Sequence, residues 1–174
     1  MKDALELLAR YNAVANTRVY DLIAAQPAEL LHRESGSYFH TILGLLNHIL
    51  RSDINAITRI RNLLPELTAL HSSALDVPLS IPAGGMLFDE LLPLRERRVA
   101  VDGLYQALVS AAGEAILSKE LTFKSFSGQD VHTTVGWNLL HMFNHATHHR
   151  GALSQILDAA NVANDYSSLA STIR

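Results

Sequence analysis

The 174 residues contain no cysteine. That absence excludes disulfide staples, thiolate nucleophiles and every cysteine-ligated zinc site, so a metal here has to be held by His, Asp, Glu or water. Excess positive charge is missing too. Fourteen Lys plus Arg stand against 17 Asp plus Glu, a formal net charge of -3, which is no electrostatic footprint for nucleic acid. No apolar run approaches the roughly 18 to 20 residues that cross a bilayer. Acids also interrupt the opening "MKDALELLARYN" where a secretion signal has an unbroken apolar block. The expectation is a cytoplasmic protein with neither nucleic acid nor membrane as partner. No internal repeat or low-complexity tract is present. A Ser-His-Asp arrangement, a glycine-rich phosphate loop and a separate carboxylate pair are all lacking as sources of chemistry.

What is present is helix after helix, with 48% hydrophobic residues, enough for one domain over residues 1–174 with a core of its own. Leu5, Leu8, Ala15, Val19, Leu22 and Ile23 recur at helical spacing until Pro27, which predicts a first amphipathic helix. A second, of about 25 residues, begins after the "ESGS" capping cluster and carries Ile42, Leu45, Leu46, Ile49, Ala56, Ile57 and Ile60 on one face to about Asn62. From Leu63 to Gly85, prolines, serines and "LDVPLSIPAGG" break the period, predicting a long loop with room for a short helical turn. Helical spacing resumes in "LLPLRERRVAVDGLYQALVSAAGEAI". "ELTFKSFSGQDVHTTV" alternates β-formers around a Ser-Gly turn and reads as a short hairpin or extended loop. "VGWNLLHMFNHATHHRGALSQILDAAN" supplies the fourth helix, and "DYSSLASTIR" is a short tail. The pattern is all-α: a four-helix bundle with one long crossover and a β-like hairpin or loop before the last helix.

The last helix holds four histidines within nine residues, His141, His145, His148 and His149. At the helical period, His145 and His149 lie one above the other and lean toward the apolar face, the spacing by which two imidazoles reach one metal ion. His141 sits at the edge of that face and His148 points away, so both read as flanking or surface residues. Spacing alone leaves open the ordinary alternative, hydrogen-bonded histidines in a core. His48, in "GLLNHILRSD", is the best candidate for a third imidazole, from the flank of the second helix, which suits a groove-lining site rather than a deep one.

"YNAVAN" in the first helix, "LLNHIL" in the second and "LLHMFNHATHHRGAL" in the fourth resemble the DinB/YfiT-like family over essentially the whole chain. The family's Asn-His and His-Arg-Gly pattern is met by Asn144, His145, His149, Arg150 and Gly151, and its second-helix histidine by His48. The resemblance implies a four-helix bundle, often a homodimer, that binds a divalent metal such as nickel, zinc or iron through His48, His145 and His149. Two positions depart from the pattern, Val14 where the family often has Trp and Ala152 where it often has Gln. Neither is a ligand, but both are expected to reshape the pocket and hence the substrate.

Further polar residues await a role. His40 and His132 read as solvated surface or as the pocket mouth. Asp53 and Arg150 each fall within an apolar arc, where an unpaired charge is costly. They pair with each other or orient an imidazole or a metal-bound water. Tyr11, Asn12 and Asn16 fit a pocket lining or interhelical hydrogen bonds equally well, and Trp137 reads as a packing residue. An open three-histidine site polarises a carbonyl, activates water or accepts a thiolate. The family resemblance implies a thiol S-transferase more than a hydrolase, acting on a small-molecule substrate with a low-molecular-weight thiol as cofactor. The alternative class is a non-catalytic, metal-binding or dimerising stress-response bundle, with a closed site.

Overall fold

A computed structural model describes residues 1–78, 85–125, 127–166 and 168–172. Four long helices make the frame: α1 (Lys2–Ala24), α3 (Ile42–Leu63), α4 (Leu91–Ala111) and α6 (Val135–Ala159). Short helices α2 (Ala28–His32), α5 (Glu114–Leu117) and α7 (Leu169–Thr172) lie between or after them. Strands β1 (Glu120–Lys124) and β2 (Asp130–Thr134) pair antiparallel, with Glu120 opposite Thr134 and Lys124 opposite Asp130.

The directions of the long helices follow from contacts between them. Lys2 Nζ donates to Ser110 O, and Arg95 pairs with Asp21, so α1 and α4 run antiparallel. Asn47 bonds to the Leu87 and Phe88 backbone while Asp53 bonds to Arg98 and Tyr105, so α3 and α4 run parallel. A parallel neighbour cannot be reached by a tight turn, which is why a long crossover separates the two. Within it, turns of 3₁₀ helix cover Thr68–Leu70 and Ser73–Leu75. The expected loop's "LSIPAG" portion, 79–84, lies outside the described residues. α6 lies antiparallel to α3 and packs on both α3 and α1. The result is an up-down-down-up bundle whose core joins Leu5, Ile42, Leu50, Ile57, Leu94, Val101, Leu139 and Leu153, all at 0% exposure.

Three boundaries differ from the sequence expectation. The second long helix is capped by Thr41, whose Oγ1 accepts from the Gly44 N–H, and not by the "ESGS" segment, which forms an upstream bend with Gly36 at φ +70. The third stops at Ala111 instead of reaching Ile116, because Ala112 and Gly113 turn extended before α5 restarts. α2 follows Pro27 as a separate single turn. The hairpin is confirmed, with Gly128 at φ +80 in its turn, a conformation that favours glycine. Thr134 ends it and caps α6 by accepting from the Trp137 N–H.

Candidate metal centre

The antiparallel crossing of α3 and α6 brings His48, His145 and His149 together. Their Nε2 atoms form a nearly equilateral triangle: 3.2 Å from His48 to His145, 3.1 Å from His48 to His149, and 3.1 Å from His149 to His145. An ion about 2.0–2.1 Å from each nitrogen requires separations of about 2.8–3.4 Å for bond angles between octahedral and tetrahedral. The triangle lies inside that window. Among the described residues, no Asp or Glu joins the group.

The imidazoles are also in the right charge state. Burial, then the neighbouring His145 and Arg51, pushes the His48 pKa down to about 4. Burial followed by His141 and His148 takes His145 to about 4, and burial with His145, His48 and His148 takes His149 to about 3. All three are therefore neutral at physiological pH, the form that ligates metals. Three neutral nitrogens facing one another cannot all be satisfied by hydrogen bonds among themselves, and a cation between them resolves the conflict. Phe39 walls one side, stacked on His48 at a centroid distance of 4.2 Å and edge-on to His149 at 5.4 Å.

A cavity of about 470 Å³ opens beside the triangle, between α3, α6 and the hairpin. His132 and His141 line it together with His48 and His145. A smaller cavity of about 340 Å³ on the other side of His48 takes in His40 and Phe39. His40 and His132 thus border the two approaches to the cluster while staying exposed. His141 is exposed as expected, yet it faces the larger cavity with its ring 6.1 Å from that of His145. His148 is exposed, its ring 4.9 Å from that of His149. Trp137 corrects the expectation of a packing residue: it is 57% exposed and lines the cavity between α3, α6 and the hairpin.

The profile of the DinB family matches residues 1–164. The chain belongs to the DinB family. It is 29% identical over 167 residues to "Protein DinB" of Bacillus subtilis (strain 168), an alignment spanning 94% of this chain and 90% of that relative. No solved structure matches it significantly.

In this DinB-family chain, Asp53 and Arg150 do not bond to each other or to the histidines. Asp53 accepts from Arg98 Nη1 and, at 2.8 Å, from the Tyr105 hydroxyl. Arg98 Nη2 also lies 2.9 Å from Asp102 Oδ1. Asn12 and Asn16 donate to Asp102 and accept from Arg150 Nη1. The outcome is a buried network in which two arginines balance two aspartates and which ties all four long helices together. Burial works against the Arg98 charge, but Asp102 and Asp53 outweigh it and hold the proton more tightly than usual. Burial likewise pushes both carboxyls up, with Arg98 opposing. Asn12 and Asn16 are thereby interhelical connectors. Arg98 and Asp102 went unrecognised in the sequence, although they lie four apart on the line Leu94, Val101, Tyr105 and Leu108. No hydrogen bond holds His145 Nδ1 among the described residues.

Proposed function

We propose that the protein is a divalent-metal-dependent enzyme, of thiol S-transferase or hydrolase type, acting on a small molecule through His48, His145 and His149. The observation that carries this reading is the Nε2 triangle, with sides of 3.1 to 3.2 Å and a cavity of about 470 Å³ beside it. A divalent ion such as nickel, zinc or iron supplies a Lewis acid there, able to polarise a carbonyl or activate water or a thiol. The chain's own part is to present three neutral imidazoles, to shield one side with Phe39, and to leave the side toward His141 open to an incoming molecule. With no cysteine in the chain, a reacting thiol comes from solution. The same reading has the protein as a cytoplasmic homodimer, without nucleic acid or membrane as partner. Among the described residues, no helix is long and apolar enough to cross a membrane.

The test is elemental analysis of tag-free protein purified without chelators. About one metal per chain is expected in wild type and in His148→Ala, and none in His48→Ala, His145→Ala or His149→Ala. Folded wild type that stays empty after incubation with nickel, zinc and iron overturns the reading.

A further inference from the structure

His48, Ser52, Asn55 and Arg59 follow one another at three- and four-residue spacing along α3, and all four line the larger cavity. On α6, Trp137, His141 and His145 do the same from the facing side. The cavity is therefore a groove with the histidine cluster at one end and Arg59 at the other. Eleven residues of helix at 1.5 Å each place the two ends about 16 Å apart along α3.

Among the described residues, Arg59 is the one permanently charged residue on the wall, and no Asp or Glu lines the groove. The guanidinium is half-buried, with Cζ 4.0 Å above the Phe123 ring. That contact uses one face of the group and leaves its edge donors free of any carboxylate among the described residues. Arg61, Arg95 and Arg98, by contrast, each face an aspartate. A half-buried cation with a rigid fork of donors and no counter-ion matches a planar anion. Between Arg59 and the histidines the wall also carries the apolar side chains of Phe123, Val131, Trp137 and Met142.

We propose that the groove binds a small organic anion with an apolar body, its carboxylate-like end on Arg59, its body along Phe123, Trp137 and Met142, and its reacting end toward His48 and His145. The reacting end rests on the metal-centre reading; the anionic end does not. Arg59 acts as a specificity residue that selects acids over their neutral analogues.

Trp137 is the chain's single tryptophan and sits on the groove wall, so its emission reports occupancy. The experiment titrates zinc-free and zinc-loaded protein with 4-phenylbutyrate and with its neutral amide, 4-phenylbutanamide. The acid is expected to bind zinc-free wild type about tenfold more tightly than the amide. Arg59→Gln should erase the preference and Arg59→Lys should keep part of it. The probe pair tests wild type directly, so the outcome does not hang on how either variant folds. Equal binding of the two probes, a preference that survives in Arg59→Gln, or no response to either up to about 10 mM overturns the proposal. A preference seen only with zinc overturns it too, since the anion then sits on the metal. A preference in protein that takes up no zinc sinks the metal reading alone and leaves the Arg59 site standing.

Discussion

Replacing Arg98 with Met asks how much the buried charge network contributes. Arg98 is 2% exposed and lies between Asp53 and Asp102, themselves 1% and 5% exposed. Methionine fills much of the volume but supplies no charge, so two buried carboxylates lose their shared cation. Removing one partner of a buried ion pair costs about 3–5 kcal/mol, mostly as desolvation of the charge left behind. Domains of this kind have about 5–15 kcal/mol in total, so a clear drop in the urea midpoint followed by circular dichroism is expected. The deficit should also depend on pH. Without Arg98, the folded-state carboxyl pKa values rise further above the unfolded value of about 3.9. An acid whose folded pKa is raised favours the folded state at low pH and loses that contribution as pH rises through the folded pKa. The gap between variant and wild type should therefore narrow from about pH 7 toward about pH 4.5. Adding Asp53→Asn to Arg98→Met should recover part of the loss, because one fewer charge is stranded. A loss under about 1 kcal/mol, independent of pH, would refute the reasoning.

The three histidines titrate near 6.5 when unfolded and near 3 to 4 when folded. The unfolded chain therefore takes up their protons first, and metal-free protein should lose stability as pH falls from about 6.5 to about 4. Urea midpoints across that range should show a shallower slope in His149→Gln, and equal slopes would sink the assignment. Gly44→Ala places a Cβ 2.3 Å from Phe39 O. The loop that holds Phe39 against His48 must then shift, at a cost of about 1–3 kcal/mol, and zinc binding by calorimetry should weaken alongside. Thr41→Ala removes the side-chain cap of α3 and should cost about 1 kcal/mol. A thermal midpoint unchanged from wild type would show that the cap contributes nothing.

Local order was legible because local order is periodic. Leu45, Leu46, Ile49 and Ile57 mark a helix by spacing alone, and all are buried as that spacing requires. The alternation around Ser127 and Gly128 marks a hairpin in the same way. Gly113 was a weaker sign, since glycine lowers helix propensity without dictating where a helix ends. The groove that Trp137 and His141 line was not legible, because helical spacing gives an angle from the mean apolar face and carries no trace of a groove cut beside it. Asp53 was correctly marked as needing a partner, but the choice of Arg98 over Arg150 depends on α4 lying parallel to α3 in the bundle.

The sequence by itself determined the helices, the hairpin and the pairing of His145 with His149, because each depends on residues a few positions apart. It also marked His48 as a candidate. Only the tertiary structure decided that three imidazole nitrogens meet within 3.2 Å, that Arg59 faces the same groove, and which charge balances Asp53. Those facts join residues 45 to 101 positions apart. No periodicity spans such separations; the crossing of packed helices sets them.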